Sequence, residues 1–190
     1  MRKERVGFAV CGSFCTHEDA MRALKALTDI YETVIPILSE HAAHTDTRFG
    51  TAESLSRRME LVTGRKPLCS IESVEPIGPK KLLDVLVIAP ATGNTVAKLA
   101  AGITDTAVTM AAKAHLRNGR PIVLAIASND GLAAGAKNIG ELLARKHYYF
   151  VPFGQDDAGQ KPCSLISDFE KVAETVDLAL HGEQIQPILL

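Results

Sequence analysis

An apolar run that stops abruptly in a polar corner constrains this chain more than any other feature. Leu82-Leu83-Asp84-Val85-Leu86-Val87-Ile88-Ala89 leads into Pro90-Ala91-Thr92-Gly93-Asn94-Thr95 and then into a helix-forming stretch near Thr95–Ala101. Apolar residues at consecutive positions suit a strand covered on both faces, as in a parallel sheet. A loop of Pro, Thr, Gly and Asn between such a strand and a helix puts amides and hydroxyls at the strand's carboxyl end. Open α/β sheets bind their ligands there.

The same unit recurs along the chain. Val6–Cys11 is apolar and runs into Gly12-Ser13-Phe14-Cys15-Thr16, and Thr16–Leu27 then places Ala20, Ala23, Leu24 and Leu27 at helical spacing. Tyr31–Leu38 reads as a second strand, and its Pro36, which has no amide to donate, predicts an edge or bulged position. Phe49–Gly64 holds an amphipathic helix with Ala52, Leu55, Met59 and Val62 on one stripe and Gly64 as its stop. A helix near Asp105–Arg117 and a strand at Pro121–Ala127 follow, the strand ending in a third polar corner, Ser128-Asn129-Asp130-Gly131. Next come a helix at Lys137–Lys146, a short strand at Tyr148–Pro152, a turn-rich segment Gly154–Lys161 and a last helix from Ser164 to Leu180. This alternation predicts an α/β fold: a three-layer, Rossmann-like (flavodoxin-like), doubly wound parallel sheet. The 190 residues fit a single domain, residues 1–190.

Composition removes several function classes. With 21 basic and 22 acidic residues and no block of either sign, the chain carries no electrostatic footprint for nucleic acid or anionic lipid. No apolar stretch approaches the roughly 20 residues needed to span a bilayer, and Met1–Arg5 opens directly into a short strand without a cleavage-type tail. Cys11, Cys15, Cys69 and Cys163 match neither a disulfide framework nor a zinc spacing, so reduced thiols in the cytoplasm and no metal site are expected. There is no Gly-x-Ser-x-Gly elbow and no Walker loop. Residues 182–190 end in the apolar Ile185-Gln186-Pro187-Ile188-Leu189-Leu190, expected at a subunit contact.

Three polar corners on one sheet edge define a crevice. At the first, Gly12 serves the turn, Ser13 and Thr16 offer hydroxyls, Phe14 is the one obvious loop aromatic, and free amides at the helix start attract an anion. The alternative is that Thr16 caps the helix, with Asp19 imitating a capping box. No Gly-x-Gly-x-x-Gly occurs and Glu40 is the lone acidic candidate for a ribose contact, so a mononucleotide fits better than a dinucleotide. Ser39 lines the crevice or is an ordinary loop serine. In the Ala89–Thr95 loop, Pro90 fixes a backbone angle, and Asn94 and Thr95 either cap the next helix or face a ligand. Ser128 and Asn129 supply the third corner.

The remaining candidates are charged or titratable. His41 and His44 follow the second strand within reach of the crevice, whereas His115, His147 and His181 sit near helix ends in ordinary solvated or dipole-paired positions. Arg48 either grips a carboxylate with its guanidinium or forms a surface ion pair. Lys98, one turn past Asn94, pairs with an acid or approaches a phosphate, and Cys15 is either a thiol activated by the helix start or idle.

Gly12-Ser13 with Thr16, together with Ala89-Pro90-Ala91-Thr92-Gly93-Asn94-Thr95, resembles the flavoprotein fold shared by homo-oligomeric flavin-containing cysteine decarboxylases and flavin prenyltransferases. Thr45–Gly50, Thr104-Asp105, Met110–Ala114, Arg117–Pro121, Val151–Asp157 and Gln186–Leu189 are similar to one branch of that family, the B subunits of dipicolinate synthases, over nearly the whole chain. The resemblance implies FMN as cofactor, its phosphate held by Gly12, Ser13 and Thr16, with Ser39, Ala89–Thr95 and Ser128-Asn129 around the ribityl chain or ring. It also implies oxidation of dihydrodipicolinate to dipicolinate in the mother cell of a spore-forming bacterium. The NADP-binding A subunit of such a dipicolinate synthase is the implied partner, and a trimer or a multiple of it the implied assembly. The competing expectation is a non-catalytic subunit whose loops hold a phosphate or the substrate's carboxylates while the A subunit performs the redox step. Where the decarboxylases carry Pro-x-Met-Asn-x-x-Met-Trp, this chain has Ala127-Ser128-Asn129-Asp130-Gly131 and no Trp at all, which disfavours cysteine decarboxylation.

Overall fold

Strand β1 (Arg2–Val10) becomes fully buried from Val6 onward, and its side chains alternate between two separate cores. In the computed structural model, which describes residues 1–190, Val6, Phe8 and Val10 face one layer of helices while Ala9 and Cys11 face the other. The first layer is α1 (His17–Ile30), α3 (Ala52–Thr63) and α8 (Val172–Leu180), contributing Leu24, Leu27, Leu55, Met59, Val172 and Val176. The second is α5 (Gly93–Ala101), α6 (Ala107–Leu116) and α7 (Ala136–Leu143), contributing Val96, Leu99, Val108, Ala111, Ile139 and Leu142. Between them β2 (Tyr31–Leu38), β1, β3 (Val85–Ala91) and β4 (Ile122–Ser128) run parallel in that order, with β5 (Tyr148–Phe150) parallel beside the first half of β4. This is the expected three-layer, doubly wound arrangement. The short α2 (Glu40–His44) and α4 (Ile71–Val74) complete the β2–β3 connection.

Pro36 sits where its missing amide costs nothing. The carbonyl of Pro36 accepts from Leu68 N at 2.9 Å on the outer side of β2, and a strand residue's amide points the same way as its carbonyl. The β1 ladder on the inner side is therefore untouched, and β2 is the edge strand its proline predicts.

The region after β5 differs from expectation. Instead of a turn-rich segment and a helix beginning at Ser164, β6 (Phe153–Asp157) and β7 (Lys161–Ser167) form an antiparallel hairpin, so the complete sheet is mixed. The hairpin joins β4 through Ala127 and Ser128. β6 is buried only at Phe153 and solvated from Gln155 on, while β7 starts solvated and is buried at Ser164, Leu165 and Ser167, a pattern too polar and too short to register as a strand. Where β4 exchanges β5 for β7, Ser167 fills the gap: its hydroxyl accepts from Ile126 N at 2.7 Å and reaches the Val151 carbonyl at 3.3 Å.

Residues 188–190 run beside β6, with Phe153 N donating to the Ile188 carbonyl at 3.0 Å and Leu190 N to the Phe153 carbonyl at 3.1 Å. Ile185 is buried and Ile188 packs on the core, while Leu189 and Leu190 remain 66% and 68% exposed. No helix is long and apolar enough to cross a membrane.

Candidate functional site

The chain passes from β1 outward to β2 and then crosses back over β1 to β3, so the sheet's switch point lies between β1 and β3. A cleft of about 480 Å³ opens there, within the range typical of small-molecule sites. Residues from all three nearest strand ends line it, among them Gly12 and Phe14 after β1, Ser39 and His41 after β2, and Thr92 and Asn94 after β3.

After β1 the backbone folds into a tight turn. Ser13 N donates to the Cys11 carbonyl and Thr16 N to the Ser13 carbonyl, each at 3.0 Å, whereas the amides of Gly12, Phe14 and Cys15 have no partner within the chain. Unpaired amides leading into α1 form an anion-binding concavity. Thr16 does not share in it directly: it is 4% exposed and its hydroxyl donates to the Ser13 carbonyl at 2.8 Å. Nor does Thr16 cap α1 through its side chain, so the capping-box alternative is not formed. Gly12 has ordinary backbone angles, and a Cβ there would reach van der Waals contact with Phe14 and with His41 Cβ at 3.5 Å. Its role is to keep the cleft floor low rather than to permit a special conformation. His17, packed at 5.2 Å against Phe14, sets its Nε2 2.9 Å from the Cys11 carbonyl; burial pushes its pKa down although that carbonyl opposes the shift.

At the second corner, β3 continues through Ala91, two residues further than the apolar run indicates. The ladder to β4 is irregular between Ile88 and Ala91, so Ala89 and Ala91 are fully buried in opposite layers, Pro90 between them is buried too, and their side chains are unavailable to a ligand. Thr92, not Asn94, caps α5, accepting from Thr95 N at 3.3 Å, which leaves the Asn94 side chain exposed at the cleft. The Thr95 hydroxyl donates to the buried thiol of Cys11 at 3.3 Å and so links the two corners under the cleft. The third corner closes on Gly93, where a Cβ would lie 2.6 Å from Ser128 Oγ and 2.7 Å from Asp130 Oδ1. Ser128 itself donates to Asp130 at 2.5 Å, and Asn129 is exposed.

Ser39 caps α2, its hydroxyl accepting from Ala42 N at 3.3 Å. The neighbouring Glu40 accepts from Ala107 N at 2.9 Å and so pins the start of α6 across the cleft. Of His41, His44 and Arg48, only His41 lines the cleft. His44 turns its Nδ1 to the Glu40 carbonyl at 2.9 Å, and Arg48 stacks on the exposed Phe49 ring at 4.8 Å without any ion pair. Four of the six histidines tie a ring nitrogen to a backbone carbonyl: His17, His44, His115 and His181. His41 and His147 do not, and of these His41 alone faces the cleft.

The far rim was not anticipated in full. Lys98 pairs with Asp105 at 2.8 Å, and Thr106 starts α6 with a capping box to Thr109. Thr104-Asp105-Thr106 before an apolar helix is the signal that marks this rim. Cys11, last of the apolar run and one residue past β1, is another lining residue that a count of polar corners passes over.

Comparison with known proteins places the chain in a family. Residues 1–172 match the family model described as Flavoprotein. The dipicolinate synthase B subunit of Bacillus subtilis is 40% identical over 190 residues, covering 100% of this chain and 95% of that protein. The crystal structure of the dipicolinate synthase B subunit from Bacillus halodurans, also 40% identical, covers 98% of this chain and 96% of its own with a TM-score of 0.90. The crystal structure of an FMN-dependent cysteine decarboxylase, 26% identical, covers 94% of this chain and 95% of its own with a TM-score of 0.68.

Proposed function

The chain belongs to the flavoprotein family, and we propose that it works as the B subunit of a dipicolinate synthase, taking part with the A subunit in the oxidation of dihydrodipicolinate to dipicolinate. The observation that carries the reading is the full-length similarity to such B subunits combined with a cleft at the switch point whose floor presents unpaired amides. FMN fits this floor. The amides of Gly12, Phe14 and Cys15 would take its phosphate, the Phe14 ring would cover part of it, and Asn94 and Ser39 would face its polar chain. Bound there, FMN supplies a hydride acceptor.

Aromatisation of the dihydropyridine ring removes a hydride and a proton, and the proton needs an acceptor in the cleft. His41 is that acceptor in our reading, since its ring nitrogens are free and its neighbour Glu40 is anchored to α6. Lys98 and Asp105 hold each other at the rim, where Lys98 is placed to meet a substrate carboxylate if Asp105 releases it. NADP enters through the A subunit, and the exposed Leu189 and Leu190 belong to a contact within a homo-oligomer.

A second reading is a protein that holds only an anion and leaves redox chemistry to the A subunit. The polar lining favours it, for Phe14 is the single aromatic residue in the cleft. Titration of the purified chain with FMN, followed by visible absorption and fluorescence, separates the two. Saturable binding with a perturbed flavin spectrum that weakens in Asn94→Ala is the expected result. Absence of binding, with or without the A subunit, favours the second reading.

A further inference from the structure

A second pocket lies at the other end of the helix pair that borders the cleft. Lys98 of α5 and Thr106 before α6 face the cleft, but Leu99, Ile103, Lys113 and Leu116 line a separate hollow of about 240 Å³ together with Arg145 and Tyr148. Its walls are apolar and no acidic residue lines it.

Arg145, Lys113 and Tyr148 border this hollow beside Thr104 and Thr109, and the first three differ in what they already bind. Arg145 is committed: its guanidinium donates to the Leu99 carbonyl at 3.2 Å, the Ala100 carbonyl at 2.6 Å and Glu141 at 2.9 Å. Lys113 forms no ion pair. Tyr148 is 8% exposed, yet its hydroxyl makes no hydrogen bond within the chain. The hydroxyl oxygen itself is not buried, so it is open to solvent or to a ligand that enters the hollow.

An apolar cavity with one free ammonium and one unpaired hydroxyl complements a single negative charge on an apolar body. We infer that the pocket binds a small ring carboxylate, its ring against Leu99, Ile103 and Leu116 and its carboxylate between Lys113 Nζ and the Tyr148 hydroxyl. A single free cation argues against a phosphate, and the volume lies below that of sites for drug-sized ligands, roughly 300–1,000 Å³. This site is independent of the flavin reading.

Benzoate is the probe. Titrating it into the full chain, with amide chemical shifts as the readout, should give saturable shifts at Ile103, Thr104 and Tyr148 with a Kd on the order of 1 mM. The neutral isostere benzyl alcohol should bind roughly tenfold more weakly, and Lys113→Gln and Tyr148→Phe should each weaken benzoate by a similar factor. Neither side chain holds another part of the chain through its polar atom, so both variants should fold. No saturation, equal binding of benzyl alcohol, or benzoate affinity unchanged in both variants would overturn the inference.

Discussion

The Thr95 hydroxyl donates to the Cys11 thiol across 3.3 Å, tying the start of α5 to the end of β1 beneath the cleft. Burial pushes the Cys11 pKa up to about 11, against the opposing pull of that hydrogen bond. Cys15, exposed at the next turn, should therefore react first with a thiol reagent such as iodoacetamide, and Cys11 last. Because the folded pKa lies above the ordinary thiol value of 9.0, Cys11 adds stability below that pH and loses it between 9.0 and about 11. Thr95→Val should cost about 1 kcal/mol in urea unfolding and weaken FMN binding.

Gly93→Ala should disturb both sides of one corner. Its new methyl would meet Ser128 Oγ and Asp130 Oδ1 at 2.6 and 2.7 Å, so either α5 or the end of β4 has to shift. A loss of about 1–3 kcal/mol by denaturant unfolding, with weaker FMN binding in the folded fraction, is expected.

Asp84 joins the beginnings of three strands at the opposite end of the sheet. It accepts from Arg5 N at 2.8 Å and from the Arg5 guanidinium at 3.0 Å, and forms an ion pair with Arg120 at 2.8 Å. Burial raises its pKa, but the hydrogen bonds from Arg5 outweigh this and hold it below the usual 3.8. Its contribution is present above that value and lost as the pH falls below it. Asp84→Asn should lower the urea midpoint at neutral pH by the equivalent of about 1–3 kcal/mol, and the difference from wild type should shrink in strong acid.

His115 gives a separate acid sensitivity. It is 0% exposed, its Nε2 donates to the Pro121 carbonyl at 3.0 Å and its Nδ1 has no partner; burial drives its pKa from 6.5 to about 4. The unfolded chain takes up a proton that the folded chain refuses, so stability should decline as pH falls from 6.5 toward 4, by on the order of 3 kcal/mol at most. His115→Gln, which keeps a donor for Pro121 but cannot titrate, should flatten thermal-unfolding curves across this window.

His41→Ala should reduce dipicolinate formation by the complex with the A subunit on the order of 100-fold or more, with FMN binding little changed. His44→Ala and Arg48→Ala should stay near wild-type rates, since neither side chain lines the cleft. Equal losses in all three would point to damage in the α2 segment instead of a proton acceptor at His41.

The parallel half of the fold is legible because buried strands such as Val85–Ile88 are apolar at every position. The β6–β7 hairpin is not, because Gln155, Asp156 and Asp157 lie on a solvated edge and give no hydrophobic period. Leu165 and Ile166, its apolar centre, look equally like the first turn of a helix. In the site, strand-end corners rich in Gly, Ser, Thr and Asn point to the cleft. Local sequence does not reveal which hydroxyls are spent internally: Thr16 is consumed by Ser13, and Thr92 does the capping that Asn94 is equally suited to. Glu40 reaches Ala107 across 67 positions, a relation no local pattern encodes.

At both ends of the main strand order, part of the outer edge is covered by the chain's own backbone. Along β2, Leu68 occupies the outward groups of Pro36 and Leu38, and Pro36 itself offers no donor there. Along β6, Ile188 and Leu190 saturate Phe153, and the acidic pair Asp156-Asp157 follows. Open edges of that kind template polymerisation, so at these positions the chain's own backbone takes the places a foreign strand would need.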